Sequence, residues 1–181
     1  MKEELKKEIL SWIKAFSIAL FVVILLRSYL LSPTTVHGES MNPTFDDKDR
    51  VIFSKISDIE RFDIVVFEAP DSNLFYIKRV IGLPGDHLEM KDGELFINGI
   101  KTAEPYLKEQ NDKDMLNKMN FDFTLEAITG DYSVPSDSLF VMGDNRSNSN
   151  DSRFFGFISK ESIIGEVKFQ IYPIQDVGFI K

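Results

Sequence analysis

Along the chain, hydrophobic and polar positions divide into one long apolar block followed by a series of short ones. From Ala15 to Leu31 seventeen residues run with Arg27 as the sole charge, preceded by a lysine-bearing stretch. At about 1.5 Å per helical residue the block spans about 25 Å, and reaching back to Ile9 brings it to the ~30 Å of a bilayer's hydrocarbon. The pattern predicts one membrane-spanning helix over residues 15–31. A cleaved secretory signal would need a shorter apolar region and a small-X-small site, which Ser32-Pro33-Thr34-Thr35-Val36-His37 does not offer, and a buried core helix is the third reading. Lys2, Lys6, Lys7 and Lys14 favour a cytoplasmic N-terminus over residues 1–14. Everything after Ser32 is then outside, with Arg27 as a solvated helix end.

Beyond the block the spacing changes. Val51-Ile52-Phe53, Asp63 to Phe67, Leu74 to Ile81 and Ile163 to Phe169 are short β-branched or aromatic runs bounded by turn residues, which predicts a mainly antiparallel β protein. Ser32-Pro33-Thr34-Thr35 reads as an extended exit from the helix, because a residue before proline is pushed out of the α region. Lys91-Asp92-Gly93-Glu94 and Ile97-Asn98-Gly99-Ile100 are hairpin signals, and a polar run follows from Lys108 to Asn120. The expected organisation is an anchor over 15–31, a β core of 32–86 and 136–181, and an inserted small β subdomain over 87–135 with a mobile loop. With no second apolar block before Lys181, a single anchor is expected.

Composition narrows the chemistry. At 181 residues the chain is one domain, or one core with a modest insertion. It has no cysteine and only two histidines, His37 and His87, which removes thiol nucleophiles, disulfides and thiolate metal sites. No metal and no cofactor are expected, and the chemistry falls to hydroxyl, amine or carboxylate. The net charge is -8, and residues 1–31 carry five basic against three acidic groups, so the rest of the chain carries -10. Such a surface argues against a nucleic-acid partner.

Ser40 sits in Gly38-Glu39-Ser40-Met41-Asn42-Pro43-Thr44, a turn where a serine alone ordinarily hydrogen-bonds the backbone. Lys78 is odder, standing within an apolar run, with Tyr76 and Val80 on its strand face and Ile77, Arg79 and Ile81 on the other. A solvated lysine on an edge strand is one reading. Burial is the other, and it would drive the amine down from ~10.4 towards neutrality, making it a base able to take the proton of Ser40. Gly82-Leu83-Pro84-Gly85-Asp86 reads as a structural turn. The polar loop Gly143 to Arg153 is a solvated turn or a cation loop, but its third, sixth and twelfth positions from Asp144 are Arg146, Ser149 and Phe155, which excludes an EF-hand. His37 lies three residues from Ser40, on the opposite side of an extended segment, which disfavours a Ser-His-Asp triad.

Taken in order, the anchor, Ser40-Met41-X-Pro43-Thr44, Tyr76-Ile77-Lys78-Arg79-Val80-Ile81-Gly82-Leu83-Pro84-Gly85-Asp86 and Gly143-Asp144-Asn145-Arg146-X-X-Ser149-X-Asp151-Ser152-Arg153 resemble the type I signal peptidases, or bacterial leader peptidases. The resemblance spans nearly the whole chain, the insertion least. It implies a signal-peptidase-like β core and a serine endopeptidase that removes signal peptides from exported preproteins outside the cytoplasmic membrane. On it, Ser40 falls on the nucleophile and Lys78 on the general base. Ser149 falls on the lysine-orienting serine, and Asp144, Asp151 and Arg153 fall on residues bracing the site, while Arg79 and Arg146 are structural arginines. Histidine replaces the lysine in the endoplasmic-reticulum type, so the bacterial type is indicated. Gly38 and a single anchor resemble the Gram-positive pattern; relatives with two anchors have a serine at the Gly38 position, which supplies an oxyanion donor. Here the Ser40 N–H remains as the main donor. Small substrate pockets are expected from Val36, Met41, Val51, Tyr76 and Ile77, taking side chains such as Ala at the first and third positions before the cut, with the substrate paired to a strand edge. The expected partners are signal peptides and the lipid bilayer, since the nine residues from Leu31 to Ser40 span at most about 30 Å. Two alternatives stand beside this: a membrane-tethered β domain that binds peptides without cutting them, and a self-cleaving repressor-type serine–lysine peptidase, which the anchor disfavours.

Overall fold

Helix α1 (Lys2–Tyr29) opens the computed structural model, which describes residues 2–29, 31–107 and 122–180. The polar run Lys108 to Asn120 expected to be mobile lies outside the described residues. The helix starts well before the apolar block because Lys, Glu and Leu fill its first turns, all strong helix formers. Every described side chain on it, from Glu4 to Ile24, is exposed. Among the described residues no helix is long and apolar enough to cross a membrane.

After α1 the chain is antiparallel β. The larger sheet holds β1 (Leu31–Thr35), β2 (Arg50–Ser54), β3 (Ile64–Glu68), β4 (Phe75–Gly82), β9 (Ser138–Met142), β10 (Ile158–Ser159), β11 (Ile163–Tyr172) and β12 (Gly178–Phe179). Its order is β1-β2-β11-β3-β4-β9-β10, with β12 beside β11. The smaller sheet has the order β7-β6-β5-β8, formed by β5 (Leu88–Lys91), β6 (Glu94–Ile97), β7 (Ile100–Thr102) and β8 (Phe123–Thr124), and leads into helix α2 (Leu125–Thr129). A short helix α3 (Ser152–Phe155) follows β9. The segment read as an extended exit is thus a strand, β1, and its Pro33 is tolerated because β1 is an edge strand whose outer side needs no ladder hydrogen bond.

The four apolar runs appear as β2, β3, β4 and β11, and their alternation sorts side chains between two core layers. Val65, Phe67 and Val80 pack with Leu139, Val141, Ile158 and Tyr76 on one face. Ile64 and Val66 pack with Val36, Met41, Phe45, Val51, Phe53 and Val167 on the other, with Ile77 against them. A third cluster joins the sheets: Ile81, Phe140 and Met142 from the larger meet Leu88, Met90, Leu95, Ile97 and Leu125. Gly82 permits that approach, since a Cβ there would lie 2.6 Å from Leu88 Cδ1. At ~1.5–3 kcal/mol per fully buried side chain, this shared core ties the smaller sheet firmly to the larger.

Candidate active site

The Ser40 turn is held from below by Met41 and Phe45, each 1% exposed in the core. Turn hydrogen bonds run from Thr44 N and Phe45 N to the Met41 carbonyl, and the Asn42–Pro43 bond is cis. From across the site, Asn145 N donates to the Ser40 carbonyl at 3.0 Å and Asn145 Nδ2 to the Glu39 carbonyl at 3.0 Å. The serine is thereby fixed by its backbone while its hydroxyl stays on the accessible side.

Lys78 lies mid-strand in β4, opposite Val65 of β3, and is 4% exposed. Its Nζ donates to Ser40 Oγ at 2.7 Å and to the Ile77 carbonyl at 3.0 Å, and stands 5.2 Å from the Tyr76 ring centroid. Burial pulls the amine from 10.5 down to about 8, against the opposing pull of the Asp151, Asp144 and Asp71 carboxylates. A buried base in contact with a hydroxyl is what deprotonation of a serine near neutral pH requires. His37 is exposed and is not a partner of Ser40 among the described residues.

Three ion pairs brace this contact. Arg79 grips Asp144 in a two-pronged pair, Nε to Oδ1 at 2.9 Å and Nη2 to Oδ2 at 2.7 Å, and also donates to the Phe62 carbonyl at 2.8 Å. Thr44 Oγ1 donates to Asp144 Oδ2 at 2.5 Å, tying the Ser40 turn to the same carboxylate. Arg153 grips Asp151, whose Oδ2 accepts the Gly143 N–H at 3.0 Å. Burial disfavours the Asp151 anion, but Arg153 and these hydrogen bonds hold its carboxyl below the usual range. The third pair is Arg146 with Glu104. At Gly143 a Cβ would overlap Ser149 Oγ and the Ser40 carbonyl oxygen, so only glycine lets the loop close under the nucleophile. The Ser149 hydroxyl is buried there and is not a partner of Lys78 among the described residues.

A cavity of about 800 Å³ opens over Ser40 and Lys78, walled by Pro33, Thr34, Thr35, Val36 and His37 on one side and Leu74, Phe75, Tyr76 and Ile77 on the other, with Met41, Val66 and Asn150 completing it. Both walls are strand edges: among the described residues β1 pairs with β2 alone, and β9 covers β4 from Arg79 onward. Of the expected pocket residues, Val36, Met41, Tyr76 and Ile77 line the cavity, while Val51 lies fully buried in the core cluster of Val36 and Met41. Gly38 N donates to Asp47 Oδ1 at 2.9 Å, so its amide is already engaged. Sequence reasoning missed Asn145, Asn150, Glu104 and Tyr106; the first two lay inside a quoted motif, and the last two carried no signal.

The family model for signal peptidase, peptidase S26, matches residues 9–172. A signal peptidase I P of Bacillus subtilis subsp. natto is 43% identical over 186 residues, covering 99% of this chain and 98% of that protein. A signal peptidase I of Bacillus caldolyticus is 43% identical over 166 residues, covering 90% of this chain and 91% of its own length. The crystal structure of a signal peptidase I from Enterococcus faecalis V583 aligns with a TM-score of 0.53 at 40% identity, over 61% of this chain and 97% of that one.

Proposed function

This chain belongs to the signal peptidase family, peptidase S26, and is a serine endopeptidase of the type that cleaves signal peptides; from that premise we propose that it cuts exported preproteins with a Ser40–Lys78 dyad at the outer face of the cytoplasmic membrane. The observation carrying this reading is a lysine amine, 4% exposed, within 2.7 Å of a serine hydroxyl at the floor of an open groove.

In the reaction, neutral Lys78 Nζ takes the Ser40 proton as Oγ attacks the scissile carbonyl carbon. The resulting oxyanion meets the Ser40 N–H, which makes no hydrogen bond among the described residues. Collapse breaks the C–N bond, the Lys78 ammonium returns the proton to the departing amine of the mature chain, and the signal peptide is left esterified to Ser40. Water, deprotonated by the same amine, then releases it as the carboxylate. General-base assistance of this kind contributes about 10²–10⁴-fold and an oxyanion donor about 10²–10³-fold. The substrate lies extended between the edges of β1 and β4, offering main-chain groups to both. Asp144, Asp151, Arg153 and Ser149 act by keeping the loop under Ser40 in place.

Helix α1 supplies the membrane tether in this proposal. Trp12, Phe16, Ile18, Phe21 and Val23 are all more than half exposed, large apolar side chains that a lipid environment would cover. The N-terminus is then cytoplasmic and the β domain outside.

The test is processing of a preprotein by the full chain in detergent micelles, with rapid quenching to trap the ester on Ser40. The wild type accumulates an acyl-enzyme; Ser40→Ala and Lys78→Arg, whose guanidinium supplies no neutral base, yield neither ester nor product. Cleavage by either variant overturns the dyad, and peptide binding without cleavage by the wild type would favour the binding-module alternative.

A further inference from the structure

Resting on the reading of Ser40 and Lys78 as the catalytic pair, we propose that Glu104 and Tyr106, on the arm following β7, are positioning residues that hold both halves of the dyad through Arg146 and Arg79. Neither residue belongs to any motif that carried the sequence reading, and neither lines the groove.

The arm reaches the nucleophile in three links. Glu104 takes both prongs of the Arg146 guanidinium, a pair whose side chains are only 14% and 9% exposed, and Tyr106 Oη donates to Glu104 Oε1 at 2.5 Å. Arg146 Nε in turn donates to the Gly143 carbonyl at 3.1 Å. Between Gly143 and Arg146 stands Asn145, whose backbone and side-chain amides hold the Ser40 and Glu39 carbonyls. The arm reaches the base in two: the Tyr106 ring centroid lies 4.0 Å from the Arg79 guanidinium, with the Phe62 ring tilted against it at 5.5 Å, and Arg79 is the strand neighbour of Lys78. One short segment of the insertion therefore touches the supports of the hydroxyl and of the amine.

These contacts are buried and charged, so they hold geometry instead of fluctuating as exposed pairs do. A base and nucleophile 2.7 Å apart are sensitive to displacement: misplacement by about 1 Å from a remote change can cost ~10²-fold. Because the groove is walled by β1 and by the Leu74–Ile77 end of β4, while the arm meets β4 at Arg79, outside that lining, loss of the arm acts on turnover and spares substrate binding.

The experiment uses the full chain in detergent micelles, a synthetic peptide spanning a signal-peptide cleavage site, and active sites counted from the first-turnover burst. Glu104→Ala is expected to lower kcat per titrated site roughly ten- to a hundredfold with KM within about twofold. The pair Glu104→Ala with Arg146→Ala should be no slower than Arg146→Ala alone, since the glutamate acts through that arginine. Glu94→Gln, which breaks an exposed pair with Lys101 in the same small sheet, should leave kcat unchanged. Unchanged kcat in Glu104→Ala, or losses that multiply in the double variant, overturn the proposal. Should Glu104→Ala fail to fold, Tyr106→Leu, which removes both the ring under Arg79 and the hydroxyl on Glu104, is read in the same assay, where a lowered kcat per titrated site supports the arm and an unchanged one overturns it. These failures differ from failure of the dyad itself, which activity in Ser40→Ala would reveal.

Discussion

Replacing Lys78 by methionine should abolish cleavage and, in the same molecule, strengthen the fold at neutral pH. The side chain keeps an apolar stem of similar length but removes a cation from a site that is 4% exposed. In the folded chain the amine titrates at about 8, against 10.5 unperturbed. Protonating it in place therefore costs about 3 kcal/mol, at 1.36 kcal/mol per tenfold change. The folded pKa lies below the unfolded one, so the unfolded chain binds the extra proton and wild-type stability climbs with pH between about 8 and 10.5. Below 8 the burden is complete; by pH 10 about 1 kcal/mol of it remains on the same relation. Losing the hydrogen bonds to Ser40 and the Ile77 carbonyl offsets part of the gain, about 1 kcal/mol each, but that loss does not vary over this pH range. The decisive quantity is thus the difference between variant and wild type at pH 6.5 minus the same difference at pH 10, expected to be about 2–3 kcal/mol in favour of methionine at the lower pH. Thermal unfolding of both proteins in one detergent, followed by circular dichroism, measures it. A difference that stays flat with pH would refute the buried, depressed amine and, with it, the supply of neutral base.

Two further outcomes follow from the site. The acid limb of kcat/KM should fall near pH 8, and Asp71→Asn should move it to lower pH, because that carboxylate favours the ammonium form of Lys78; a limb that moves upward contradicts the assignment. Gly143→Ala should cost activity by roughly a hundredfold in a peptide-cleavage assay, since its Cβ displaces either Ser149 or the Ser40 carbonyl, and near-normal turnover would show that the loop does not set the nucleophile.

How far the residues spoke for themselves depends on the range of the interaction. The runs at Val51, Asp63, Leu74 and Ile163 were legible because each is a short stretch rich in β-branched or aromatic residues and bounded by turn residues. β9, Ser138–Met142, went unread although four of its five residues are buried: Val141 is its single β-branched residue, and a short apolar run of Leu, Phe and Met does not by itself declare a strand. β1 hid behind its proline, which only an edge position explains. Lys78 by itself resembled a solvated edge-strand lysine, and only the packing of β3 and β9 against β4 makes it a buried one. Ser40 and Lys78 could be matched by motif, yet their meeting across 38 residues is a property of the folded sheet. Glu104 and Tyr106 had no local signature at all, because the arginines they support, Arg146 and Arg79, lie far from them in the chain.

On the proposed reading, a channel bordered by two unfilled strand edges reads peptides through groups that every amino acid shares. Such an enzyme can accept a large repertoire of unrelated export sequences, asking only that each stay unfolded for a few residues and slim where it passes the serine. Selectivity then comes from the shape of the cut site more than from its letters, which leaves the rest of every cargo free to diverge.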